Sequence, residues 1–224
     1  MTKALIFDSG PLINFTINGL IPILEKLKSI FKGDFLITRE VKREVYDRPL
    51  NIPKFKLSAV RINDLLARKI LKLPEDIGIS SSVIEKETRA LMNEANNMMK
   101  IEGHSMFLVS EAEVSCLALS NLLNKKNIEN IIAIDERTLR MLCEKPENLA
   151  SLMSEKLHKK AVIVSKTESF KGFIFIRSSE LVYVAYKKNL IELKDPKTLE
   201  ALLLATKYKG TSITWDEISE LKRL

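Results

Sequence analysis

Apolar residues recur along this chain in two rhythms, short unbroken runs and longer stretches with a period near 3.6 residues. Ala4 to Phe7 is the first run and predicts a short buried strand. The rhythm then turns helical, from Leu20 through Ile23, Leu24, Leu27 and Ile30 to Phe31. "DFLIT" is a second apolar run. Thr38 closes it as the expected N-cap of a helix over "REVKREVYD", because its hydroxyl can accept from the free amides of a first helical turn. Pro49 and Pro53 stop that helix, and "KLSAVRI" reads as a further strand. Ser82 with Glu85 predicts a capping box opening a helix that carries Ile84, Thr88, Leu91, Met92, Ala95, Met98 and Met99 on one face, a core stripe.

"IEGHSMF" reads as a loop leading to "SEAEVSCLALSNLL", a strongly apolar helix with acids in its first turn. In "NIENIIAIDERTLRMLC" the opening pattern returns: an apolar strand from Ile131 to Ile134, then Asp135, then a helix. After Pro146 the pattern predicts helices at "ENLASLMSEKLHKK", "SSELVYVAYKKN", "PKTLEALLLATKYKG" and, from Thr214, "TWDEISELKRL". Strands are expected at "KAVIVSK" and "GFIFIR". Strands alternating with helices imply an α/β fold with a mainly parallel sheet flanked by helices. No long linker, low-complexity tract or internal repeat divides the chain.

A hydrophobic content of 46% over 224 residues is enough for a large core. The formal net charge of +7 favours a polyanionic partner such as RNA or DNA. Cys116 and Cys143 lie in apolar helical surroundings without metal-ligand spacing, so buried free thiols are expected. No apolar run suffices to span a bilayer and no signal-type segment opens the chain, which places the expected location in the cytoplasm.

Asp8 and Asp135 each follow a strand of the same kind, and in an open α/β sheet ligands gather beyond the carboxyl ends of the strands. Glu44 borders the apolar positions Val41 and Val45, and Glu113 lies at helical spacing from Cys116 and Leu117. Each acid taken singly also suits a turn or helix cap. Together they suit a hard divalent ion, which takes oxygen ligands and relieves the repulsion of gathered carboxylates.

These residues resemble the PIN-domain nucleases over about residues 1 to 145, on "LIFDSGPLI", "FLITREVKREVYD", "LVSEAEVSCLAL" and "IIAIDERTL". "DSGPLI" and "TREVKREVYD" are most similar to the branch containing the endonuclease that matures small-subunit ribosomal RNA. The resemblance implies a PIN-like three-layer core over 1–145, with 146–224 completing the sheet and adding helices on the same domain. It also implies an endoribonuclease using Mg²⁺ or Mn²⁺ to cleave single-stranded or loop RNA in RNA processing. Asp8, Glu44, Glu113 and Asp135 would be catalytic: Asp8 and Asp135 hold the metal directly, Glu113 directly or through water, and Glu44 orients a water or a second ion. The third acid of the family is usually Asp, and either Glu111 or Glu113 can fill its place. Ser9, Arg39, Lys42 and Arg43 are the candidate substrate-binding residues. Two rival readings stand: a catalytically silent RNA-binding or partner-binding protein, and the toxin of a toxin and antitoxin pair. A homodimer fits the family but has no heptad seam in its support.

Between 156 and 190, Lys156, Lys159, Lys160, Lys166, Lys171, Arg177, Lys187 and Lys188 interleave with Phe170, Phe173, Tyr183 and Tyr186. They form either an RNA-facing surface or a solvated face over core aromatics. His104 and His158 lack cysteine partners, which argues against zinc. Gly10 stands where a haloacid dehalogenase-type phosphatase needs a second Asp, and no "GxxxxGK" loop follows a strand.

Overall fold

A computed structural model describes residues 3–105, 107–165 and 168–224. The chain begins with β1 (Lys3–Phe7), α1 (Ser9–Ile17), α2 (Ile21–Ile30), β2 (Asp34–Leu36) and α3 (Arg39–Lys42), which continues as a π-helical stretch over Arg43–Asp47. Short 3-10 turns lead to α4 (Lys56–Ala67), β3 (Leu71–Lys72) and α5 (Ser81–Met98). A hairpin of β4 (Met99–Ile101) and β5 (His104–Ser105) precedes α6 (Glu111–Lys125), β6 (Glu129–Ala133) and α7 (Arg137–Glu144). The last part holds α8 (Pro146–Leu157), β7 (Ala161–Ile163), β8 (Phe175–Ile176), α9 (Ser178–Lys187), α10 (Thr198–Lys207) and α11 (Trp215–Arg223).

The central sheet has five strands in the order β3-β2-β1-β6-β8, and every neighbouring pair is parallel. Parallel strands covered on both faces are expected to be apolar throughout, and Ala4 to Phe7 are all buried. Helices flank the sheet, as the alternation of strand and helix predicted. From β1 the chain steps outward to β2 and β3, then crosses back to β6 on the other side of β1. Right-handed crossovers therefore put α1, α2 and α4 on one face and α5 and α6 on the other. β1 and β6 bracket the point where the winding reverses, in register from Lys3–Glu129 to Phe7–Ala133. β8 adds the fifth strand, and α9 folds back against α1 and α2.

Several expectations are corrected. "KLSAVRI" belongs to helix α4, because Ala59, Ile62 and Leu65 share its buried face while Val60 is exposed. The helix expected from Ser82 starts at Ser81 behind Ser80, without a side-chain cap, since the Ser80 and Ser82 hydroxyls bond each other at 2.8 Å. Met99 leaves that helix to begin β4. "IEGHSMF" is partly the β4–β5 hairpin, turned at Glu102 and Gly103, both at positive φ; Met106 lies outside the described residues. β7 pairs with β4 in a separate three-stranded antiparallel sheet. The single helix read up to Phe31 is preceded by α1, broken from α2 at Gly19, whose φ of 70° suits a residue without Cβ.

A buried arginine ties the last helices to the sheet. Arg177 gives Nη2 to Glu180 at 2.7 Å, and Nη1 to both Glu217 and the Ser212 carbonyl at 2.9 Å. Arg177→Leu is expected to destabilise the protein by about 3 kcal/mol, near the low end for a broken buried pair, because both carboxylates keep some water. Urea unfolding checks this, with a lower midpoint at an unchanged slope.

Candidate active site

Asp8 and Asp135 stand just beyond the carboxyl ends of β1 and β6, in the crevice where the winding reverses. The Asp8 amide donates to the Ala133 carbonyl at 2.9 Å, which extends the ladder and draws the two strand ends together. Gly10 fits between the carboxylates: a Cβ there would lie 3.5 Å from Asp135 Cβ and 3.6 Å from Asp8 Oδ2.

The two aspartates are equally buried but differently served. Asp135 Oδ1 accepts from the Ser178 amide at 2.8 Å, and Oδ2 accepts from the Ser178 hydroxyl at 2.6 Å and Asn14 Nδ2 at 3.2 Å. Ser178 opens α9, so the helix dipole also favours this charge. Asn14 donates further to the Thr206 carbonyl at 3.0 Å and to Thr211 Oγ1 at 2.9 Å. The Ser212 amide reaches the Asp135 carbonyl at 3.1 Å. The start of α9, Asn14 of α1 and the loop before α11 thus fix Asp135 together.

Among the described residues, Asp8 is served only by the amides that follow it, with the Gly10 amide reaching Oδ2 at 3.3 Å, which makes it the N-cap of α1. Its Oδ1 is buried and, among the described residues, has no hydrogen-bond partner. Burial is the main cause that pushes the Asp8 carboxyl up to about 7; the Ser9 and Gly10 amides oppose it, and the charges of Glu44 and Asp135 add to it.

Glu113 and Glu44 complete the group. Burial also pushes Glu113 up to about 7, opposed by the Ser110 amide and aided by the charges of Asp8 and Glu136. Its Oε2 accepts from the Ser110 amide at 2.7 Å in a capping box. Glu44 lies half-buried on the π-helical stretch, an irregularity common at functional sites, and lines an apolar cavity of about 290 Å³ with Val45 and Ile62. Beneath them Cys116 Sγ meets the Phe7 carbonyl at 3.8 Å. Burial pushes its thiol well up, and the charges of Asp8, Glu113, Glu40 and Glu44 add to that, so it stays protonated and unreactive.

The structure separates the two glutamates that the sequence left open. Glu113 senses the charge of Asp8, whereas Glu111 is exposed and lies 3.9 Å from Arg43 Nη1. Arg43 also pairs with the buried Glu40 at 3.0 Å. Arg39 is drawn to Glu75 at 2.8 Å, and Lys42 to Asp47 at 2.7 Å. Ser9 is half-buried in the first turn of α1. In the 156–190 stretch, Phe170 is buried and Phe173, Tyr183 and Tyr186 pack, partly exposed, on the core. Lys166 of that stretch lies outside the described residues.

The donor chemistry fits a hard cation: carboxylate oxygens, one of them buried and unsatisfied, with no neutralising cation bonded to Asp8 among the described residues. The side chains are not yet converged. Among the described residues no three His, Cys, Asp or Glu side chains stand close enough to hold an ion, in keeping with the turn of Glu113 onto Ser110. Asn14, Ser178 and Glu40 were missed in the sequence. Asn14 had a signal, a lone amide inside the apolar "PLINF".

No family model, curated protein or solved structure matches the chain. Among the described residues no helix is long and apolar enough to cross a membrane.

Proposed function

We propose that this protein is a PIN-like, divalent-metal-dependent endoribonuclease that cleaves single-stranded or loop RNA during RNA processing. The observation that carries the reading is the buried, unpartnered Oδ1 of Asp8 at the winding reversal, in the field of Glu44, Asp135 and Glu113. A carboxylate kept short of donors there is stabilised by a cation. Asp8 and Asp135 would hold Mg²⁺ or Mn²⁺, with Glu113 joining once it leaves the Ser110 amide. When bound, the ion supplies water activation and charge stabilisation at the leaving oxygen.

The chain's own groups do the positioning. Ser178 and Asn14 hold Asp135 in one orientation before any substrate arrives. Glu44, whose charge reaches Asp8, orients the attacking water. Arg43, between Glu40 and Glu111, holds a substrate phosphate, with Arg39 and Lys42 nearby in sequence and Ser9 next to Asp8.

The test is cleavage of an end-labelled single-stranded RNA with Mn²⁺, comparing wild type, a chelator control and Asp8→Asn. The expected loss in the variant is about a thousandfold, equal to about 4 kcal/mol of transition-state stabilisation. Equal cleavage in all three samples, or none in any across several RNAs, sinks the nuclease reading. A second reading, a catalytically silent RNA-binding protein, draws on one observation: Glu113 spends an oxygen on its own helix cap. Metal-independent RNA binding without cleavage favours it.

A further inference from the structure

The loop that supports Asp135 from behind ends in two exposed aromatic rings. Tyr208 caps α10 and is 71% exposed; Trp215 opens α11 and is 57% exposed. Single exposed aromatics are common and need no function. These two meet edge to face, with ring centroids 6.5 Å apart. The Lys207 ammonium lies 5.1 Å from the Trp215 centroid and donates to the Ile213 carbonyl, so the indole is held by a cation and by the turn beneath it. Lys209, one residue from Tyr208, is exposed and has no ion-pair partner among the described residues.

The position of the pair gives it meaning. The Ser212 amide is bonded to the Asp135 carbonyl, and Trp215 is three residues further on, within about 11 Å of extended chain. Tyr208 is four residues before Ser212, within about 14 Å. One nucleotide of extended single strand spans several ångströms, so a strand lying across the candidate carboxylates can reach both rings with its neighbouring bases. Nearby acids are partly spent: Glu217 is paired to Arg177 and Glu200 to Lys222, while Asp216 and Glu220 stay at the surface of α11.

We propose that Tyr208 and Trp215, with Lys207 and Lys209, form a stacking platform for the bases of single-stranded RNA beside the candidate active site. The solvent side of each ring can accept any base, Lys207 holds the indole in place, and the exposed Lys209 ammonium meets the phosphates. This deepens the nuclease reading by assigning the substrate strand a path, and the binding itself needs no metal.

Trp215 is the only tryptophan in the chain, so its fluorescence reports on this surface alone. The experiment titrates wild-type protein, in a chelator and at low salt, with a single-stranded oligouridine and with a duplex of the same length. Saturable quenching by the single strand and much weaker quenching by the duplex are expected. In parallel, anisotropy of a labelled oligouridine is read for Tyr208→Ala, Trp215→Ala and the stacking-competent Trp215→Phe. Each alanine variant should weaken binding by roughly fivefold to a hundredfold, the range for losing one stacked base, while Trp215→Phe stays within about threefold of wild type. Absence of quenching, or unchanged affinity in both alanine variants, overturns the platform. A protein that cleaves RNA but shows no ring dependence loses this inference and keeps the nuclease; one that binds through the rings without cleaving does the reverse.

Discussion

Asp8→Asn is expected to make the metal-free protein more stable at pH 8 while removing the metal-dependent cleavage proposed for it. The Asp8 carboxyl titrates near 7 in the folded chain against 3.8 as the ordinary value, chiefly because burial disfavours its charge. A raised carboxyl gives stability that is complete below the unfolded value and lost as pH rises through the folded one. The folded state therefore loses up to about 4 kcal/mol between pH 4 and pH 7, at about 1.4 kcal/mol for each tenfold change in proton affinity. Asn matches the shape and carries no charge. Its gain should be about 2 to 4 kcal/mol at pH 8 and vanish near pH 4, read by urea unfolding at the two pH values. Glu113 adds a loss of the same sign over its own window, from 4.5 to about 7, tempered by its incomplete burial. An equal stability gap at both pH values would remove the desolvated-charge account of Asp8.

Asp135→Asn is expected to do the opposite. Its carboxylate accepts from the Ser178 amide, the Ser178 hydroxyl and the Asn14 amide, all buried. An asparagine there turns an NH₂ toward one of these donors and leaves it unsatisfied. The cost should be about 3 kcal/mol, from a lost charge-assisted bond and a stranded buried donor. Because the same knot joins α1, β6, α9 and the loop before α11, the loss should appear as one cooperative transition at lower urea. Two aspartates at matching strand ends would then shift stability in opposite directions, which separates a carboxylate short of donors from one held in place by them. A stability gain in Asp135→Asn would contradict this division.

Much of the fold was legible because buried parallel strands and amphipathic helices leave strong, distinct rhythms. β1, β2 and β6 were marked by Ala4–Phe7, "DFLIT" and Ile131–Ile134, and the caps Thr38 and Thr214 fall where expected. β3 was missed because two residues carry no period, and α4 because β-branched Val60 and Ile62 suggested a strand. The positions of Asp8 and Asp135 beyond their strands were also readable. Their difference was not, since Asp135's donors lie 43 and 121 residues away and no local pattern announces them. Glu111 and Glu113 could be told apart only once Arg43 had a place in space.

In the proposed function, Asp8 is held short of hydrogen bonds so that a divalent ion can satisfy it. Calorimetric titration of the metal-free protein with Mn²⁺ at pH 8 and at pH 5.5, for wild type and Asp8→Asn, tests it most directly. Saturable binding at pH 8 that weakens at least tenfold at pH 5.5, where the carboxyls must first lose protons, and that is absent in the variant, is the predicted result. No binding by the wild type, or equal binding by Asp8→Asn, would contradict it.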